Sequence, residues 1–369
     1  MQELSVGSNE AGQRMDKYLL KALPNAASSL LYKQLRKKNI TLNGKKASGS
    51  EMLSLGDRIQ CFFSEETFAK FRGNEISGSE TMSQKQGPES SAGNSTGIGE
   101  YVKAYQTLNG IEVIYEDENI LILNKPAEIL TQKAVAGDLS LNEWMIGYLL
   151  SKGSISQKQL QTFRPSVCNR LDRNTSGIVL CGKSLAGSQA LSLLIKERRI
   201  GKFYLTLCAG KFSEAKTIHG YLKKNTKTNK VTISVNDSEG NHSGEKRGEE
   251  IHTRYLPLES RQNITLVEVE LITGKTHQIR AHLSSAGHPI LGDRKYGGAA
   301  GNSSGLPYQL LHARRVVFPV YEELIYEERQ EQYAKYRAVL ERLSGRKFLA
   351  PLPELFRKKL REFQFNEKG

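Results

Sequence analysis

Asp172 sits in Asn169-Arg170-Leu171-Asp172-Arg173-Asn174-Thr175-Ser176-Gly177, which sets one carboxylate between basic side chains and closes in turn-forming residues. Flanking positive charge favours the anion of an acid, so Arg170 and Arg173 are expected to keep Asp172 ionised. The Thr-Ser-Gly run suits a tight, exposed loop. These properties fit a carboxylate nucleophile or base. Taken alone, they also fit a solvated turn with surface ion pairs, whose energetic worth is small. The rest of the chain decides between the two.

Other chemistry-bearing side chains lie downstream. In Lys202-Phe203-Tyr204-Leu205-Thr206-Leu207-Cys208, period-two alternation puts Phe203, Leu205 and Leu207 on one strand face and Tyr204 and Thr206 on the other, leaving a phenol free to face a site. A helix is expected from Thr276, as its cap, to about Ser285. Arg280 falls one turn in, placed to pair with a carboxylate near the helix start. Residues 120–124 read as a short apolar strand that delivers Lys125 and Pro126, and a Lys at such a strand end is expected to be an exposed turn residue in a supporting role. His277 and His282 are five apart, on different helix faces and without an acidic partner, so no metal is expected.

These blocks, in this order, resemble the RluA-type pseudouridine synthases. That family's His-Arg-Leu-Asp motif, followed two residues later by Thr-Ser-Gly, is matched around Asp172, with Asn169 where His is usual. Asn124-Lys125-Pro126 is similar to its Lys-Pro motif and Lys202-Phe203-Tyr204 to its Lys-x-Tyr motif. Then come residues 271–280, ending in Thr276-His277-Gln278-Ile279-Arg280, then Gly287-His288-Pro289-Ile290-Leu291-Gly292-Asp293 and Leu311-His312-Ala313. An ordered set is far more specific than any one short motif. The resemblance implies a catalytic Asp172, an ion pair between Asp172 and Arg280, and an Arg170 that fills the gap left by a flipped nucleotide. It also implies that Tyr204 stacks on the uracil, positions it and takes the C5 proton, with Lys125 and Lys202 as supporting RNA contacts. The reaction needs no energy source and no cofactor.

Upstream, residues 12–64 read as a small α+β unit. Met15, Tyr18, Leu19, Ala22 and Leu23 recur at helical spacing. After Pro24, a second helix capped by Ser28 or Ser29 carries Lys33, Arg36, Lys37 and Lys38 at a basic end. Ile40 to Lys45 reads as a strand entering an Asn43-Gly44 turn, and a further strand ends at Cys61. The pattern resembles the S4 RNA-binding domain, which implies that the basic helix end tracks phosphates. A solvated face is the alternative for any single basic run. Residues 65–110 are rich in Gly, Ser and charge and are expected to be a flexible linker.

The fold class expected is therefore α+β: the S4-like unit, the linker, and a large domain over residues 111–365 built on a mixed, mainly antiparallel sheet with flanking helices. The 369 residues carry a formal charge of +14, which attracts polyanions through counterion release. The four cysteines are widely spaced, and no apolar run is long enough to span a bilayer, so a cytoplasmic monomer is expected. The partner implied is RNA, ribosomal RNA first and transfer RNA second. A non-catalytic RNA-binding ribosome-assembly factor is the rival from another class. A metal-dependent nuclease would need converging carboxylates that the sequence lacks.

Overall fold

In a computed structural model of the chain, the residues described are 1–73, 96–224, 231–234, 248–298, 305–326 and 330–366. They fall into two units, one of residues 1–107 with 142–166 and 182–188, the other of residues 108–141, 167–181 and 189–369.

The first unit opens with β1 (Gln2–Ser5), α1 (Met15–Ala22), α2 (Ser28–Arg36), β2 (Ile40–Leu42), β3 (Lys45–Lys46) and β4 (Arg58–Cys61). Its sheet runs in the order β1-β4-β2-β3. The sheet thus begins before residue 12, because β1 pairs along β4 and buries Leu4 in the same core as Met15, Leu19 and Ile59. Asn43 and Gly44 both have positive φ, 50° and 75°, the geometry a two-residue hairpin turn demands. Lys33, Arg36, Lys37 and Lys38 are all exposed.

Helices occupy both ends of the stretch expected to be a linker. In α3 (Glu65–Arg72), Ser64 caps the first turn by accepting from Thr67 N, and Gly73 closes the last in the left-handed conformation. Gly73 of this stretch and Ser64 just before it therefore act as caps, while Phe68 enters the core. The helix α4 (Thr96–Thr107) sets Tyr105 against Trp144, ring centroids 5.6 Å apart. Residues 74–95 lie outside the described residues.

The second unit is built on strands β5 (Glu112–Glu116), β6 (Ile120–Lys125), β7 (Ser166–Val167), β8 (Ser176–Gly182), β9 (Gly201–Ala209), β10 (Lys216–Lys224), β11 (Val231–Ser234), β12 (Glu249–Arg261), β13 (Ile264–Leu271), β14 (Leu311–Val317) and β15 (Lys347–Leu349). They form one sheet in the order β11-β10-β12-β13-β9-β14-β8-β6-β5, with β15 beside β14 and β7 beside β8. Of the helices between the strands, α5 (Leu141–Ser151) and α6 (Gln159–Thr162) fall in the first unit but for Leu141, α7 (Leu185–Lys196) is divided between the two at Ser188, and α8 (Gln278–Ser285) belongs to the second. The chain then adds α9 (Tyr321–Ile325), α10 (Gln330–Ala334), α11 (Arg337–Leu343) and α12 (Glu354–Glu362). Leu205, Leu207 and Leu266 of the sheet pack with Phe356 and Leu360 of α12. The β8 run Ile178-Val179-Leu180-Cys181 is buried throughout, as a central strand covered on both faces must be.

β8 and β14 run parallel, with His312 opposite Ser176 and Ala313 opposite Gly177. This pairing brings the loop before β8 beside the start of β14. It is possible only because Gly177 has φ 112° and no side chain, since a Cβ there would lie 2.3 Å from Ala313 O. His312 bonds Ser176 Oγ at 2.8 Å through Nδ1, and burial pushes its pKa down to about 4.

Gly177→Ala is expected to lower unfolding free energy by about 3 kcal/mol, from overlap and strain together. Gly12→Ala, at φ 81° with open space around it, isolates the strain alone and should lose about 1 kcal/mol. Urea titration of both variants gives the comparison. Between about pH 6.5, the ordinary His value, and about pH 4, the native state binds fewer protons than the unfolded chain at His312, so stability falls on acidification. The loss between pH 7 and pH 5 should shrink by about 2 kcal/mol in His312→Asn, read from the same titrations at both pH values.

Candidate functional site

The loop between β7 and β8 is built to hold one carboxylate still. Asn169 replaces missing strand pairing: its Oδ1 accepts from Leu180 N at 2.7 Å and its Nδ2 donates to Ile178 O. Thr131 Oγ1 donates to Leu171 O at 2.8 Å and accepts from Leu171 N at 3.1 Å, fixing the residue before Asp172. After it, Thr175 N donates to Asp172 O at 3.0 Å. The Asp172 side chain, 25% exposed, lines a pocket of about 690 Å³ whose wall includes Arg170, Tyr204, His277, Arg280 and Leu311. That volume suits a small organic group such as a nucleotide.

Arg280 comes from α8 and is 7% exposed. Its Nη1 donates to Asp172 Oδ2 at 2.8 Å, while Nε and Nη2 donate to the two oxygens of Asp293 at 2.7 and 2.9 Å. Burial opposes the charge on Arg280, yet the two carboxylates outweigh it and raise its pKa. Burial likewise pushes Asp293 upward, but the bonds to Arg280 hold it below the ordinary carboxylate value. Asp293 thus fixes the guanidinium plane so that one remaining donor faces Asp172. Arg280 also lies over the Tyr296 ring, 5.2 Å from its centroid.

The start of α8 departs from expectation. The helix begins at Gln278, and its N-cap is His277, with φ 55° and no side-chain cap bond; Thr276 is exposed and caps nothing. The turn is held instead by Gln278, whose Oε1 accepts from Thr273 Oγ1 and Lys275 N and whose Nε2 donates to His252 O and Thr253 Oγ1. This left-handed turn aims His277 inward, its Nε2 3.9 Å from Asp172 Oδ2 and its Nδ1 3.0 Å from Tyr296 Oη. Neither His277 nor Asp293 stood out as a site residue in the sequence. The signal was present in the blocks that carry them, but their partners lie far along the chain.

Several expected roles are revised. Lys125 is fully buried, and its Nζ donates to Pro126 O, Ile129 O and Arg173 O, so it cannot reach RNA. Burial, opposed by the Asp172 charge, pushes its pKa down to about 7. Its work is to tie the Asp172 loop to the end of β6. Among the described residues, neither Arg170 nor Arg173 pairs with Asp172. Arg173 Nε donates to Glu128 O at 3.1 Å, and Arg170 stands exposed on the pocket wall. Adjacency in sequence points successive side chains apart, and the cation comes from Arg280. Tyr204 is 6% exposed on the wall, and burial together with the Asp172 charge raises its pKa, so it is a neutral phenol. Lys202 is mostly buried beside Gly274, with its pKa lowered by burial and by Arg198. Among the described residues no cluster of His, Cys, Asp and Glu could hold a metal, and no helix is long and apolar enough to cross a membrane.

Comparison with known proteins agrees with this geometry. Residues 119–285 match the family model described as RNA pseudouridylate synthase. The chain is 32% identical over 300 residues to the ribosomal large subunit pseudouridine synthase C of Pasteurella multocida, covering 80% of this chain and 77% of that one. Against the protein of the same name from Rickettsia bellii, identity is 31% over 318 residues, covering 82% and 89%. The structure titled human RNA Pseudouridylate Synthase Domain Containing 4 superposes with a TM-score of 0.51 at 18% identity, covering 74% of this chain and 99% of that one, a likeness of fold.

Removing one partner from a buried ion cluster leaves an uncompensated charge. Asp293→Asn is therefore expected to cost about 3 kcal/mol of stability, measured by urea unfolding at pH 7, whereas exposed Glu341→Gln should cost under about 1 kcal/mol.

Proposed function

Because this chain belongs to the RNA pseudouridylate synthase family and is of the RluA type, we propose that it isomerises uridines of large-subunit ribosomal RNA to pseudouridine through Asp172. The observation that carries the reading is Asp172 at the pocket wall, held 2.8 Å from Nη1 of a buried Arg280 whose Nε and Nη2 donate to Asp293. Arg280 holds the Asp172 carboxylate in place while its own plane cannot turn, which is the preorganisation such a step needs. The reaction breaks the bond from ribose C1′ to uracil N1, turns the retained base, and forms the bond from C1′ to C5. A proton leaves C5 and one is gained at N1, so no cofactor enters.

Each pocket residue has a part. Asp172 acts on the sugar or base to open the glycosidic bond. Tyr204, a neutral phenol, forms a wall against the uracil and passes on the C5 proton through its hydroxyl rather than as a standing phenolate. Exposed Arg170 takes the space that the flipped nucleotide leaves, an extrusion that costs only a few kcal/mol in loops and junctions. The small sheet with α1 and α2 acts as an S4-like module whose exposed Lys33, Arg36, Lys37 and Lys38 track phosphates, in a monomeric, cytoplasmic protein. Lys202 lends positive charge beside Gly274 on the pocket wall. Transfer RNA is the second substrate class.

The test is tritium release from RNA labelled at uracil C5, comparing ribosomal with transfer RNA. Asp172→Asn is expected to lower release by about 10,000-fold while RNA binding is unchanged. Tight binding with no release from either RNA by the wild-type protein would leave only a binding factor.

A further inference from the structure

Resting on that functional reading, we infer that His277, locked by Tyr296, presents its Nε2–H to a carbonyl oxygen of the flipped uracil and so holds the base in the pocket. The lock is visible in the hydrogen bonds. Tyr296 Oη accepts from Val231 N at 3.0 Å and lies 3.0 Å from His277 Nδ1. If Nδ1 carried the ring proton, the Nε2 lone pair would face the Asp172 carboxylate at 3.9 Å, a repulsive arrangement. With the proton on Nε2, the same approach is attractive, and Tyr296 donates to Nδ1. Burial raises the Tyr296 pKa and lowers that of His277, consistent with a phenol that keeps its proton and a neutral imidazole.

The distance to Asp172 leaves this donor unspent. At 3.9 Å it is too far for a hydrogen bond, and among the described residues Nε2 makes none. Arg280 and His277 both approach Oδ2 of Asp172, so the imidazole stands beside the acid and not in front of its other oxygen. The placement costs backbone strain, since φ at His277 is 55° and the left-handed region is unfavourable for any side chain. Two features fix the ring further: an edge-to-face approach to Tyr296, centroids 5.6 Å apart, and the Tyr296 backbone, whose N–H donates to Asp293 Oδ1 at 3.0 Å. The same Asp293 that orients Arg280 thus also seats the residue that orients His277. Uracil offers acceptors at O2 and O4, either of which can take the Nε2–H bond.

The experiment uses the full-length protein and a ribosomal RNA fragment that it modifies, carrying uridine, 2-thiouridine or 4-thiouridine at the target. Sulfur accepts a hydrogen bond weakly, so it deletes the acceptor while keeping the shape. His277→Ala is expected to lower kcat/KM on uridine by about 100-fold. On the thiouridine whose replaced oxygen meets Nε2, that penalty should shrink to within about twofold; on the other it should persist. His277→Gln, which retains a side-chain N–H donor, should recover part of the loss. Tyr296→Phe should lose about tenfold, and the double variant should be no worse than His277→Ala. Equal penalties for His277→Ala on all three substrates, or none on uridine, would overturn the inference alone. A wild-type protein inert on every RNA would remove the functional reading and the inference together.

Discussion

One guanidinium shared by two carboxylates governs the catalytic unit. Arg280 is buried, and Asp293 takes its Nε and Nη2 as a fork, which leaves Nη1 to hold Asp172. Desolvating such ions is expensive, and the arrangement is tolerable only because nearly every donor and acceptor is matched. The cluster carries a net negative charge, and its one partly exposed member is Asp172. The carboxylate that faces the pocket is therefore held in place before any substrate arrives, with little reorganisation left to do.

The surrounding fold can be understood as a set of clamps on that cluster, most of them on backbone rather than side chain. Thr131, Asn169 and Lys125 hold the loop of Asp172 from three directions through carbonyls and amides. Gln278 does the same for the turn before α8. Gly177 lets β14 approach close enough to seat the loop over the sheet. Thr131 and Gln278 line the pocket themselves, but their polar atoms are spent on these clamps, which leaves the contacts to substrate to Arg170, Tyr204 and His277.

How legible this was in the sequence depended on range. Helix and strand periodicities marked α1, α2, β6 and β9 within a residue or two, because alternation and capping are local. The expected linker was drawn too wide, since the Gly- and Ser-rich composition belongs to residues 74–95 while the stretches on either side, 65–72 and 96–107, are helical. Asp172, Tyr204 and Arg280 stood out because their blocks resembled a family in order and spacing. Asp293 and Tyr296 did not, because their meaning lies in contacts with Arg280 and His277 that no neighbouring residue announces. Lys125 was misjudged for the same reason: a lysine beside proline gives no hint that three carbonyls converge on its ammonium. His277 was weighed only as a metal ligand, since a regular helix was assumed where the backbone turns left-handed.

The parallel pairing of β8 with β14 sets a timetable as well as a geometry. Ser176 and His312 meet across 136 positions of chain, and Asp172 finds Arg280 across 108. Contacts of such separation form late, after the entropy of closing long loops has been met. A ribosome-bound chain that has emerged only as far as Asp172 holds the motif but not the site. Neither the cation nor the strand that seats the loop yet exists, so a truncated or half-made copy has a carboxylate without its ion pair, and the assembled pocket arrives only with β14.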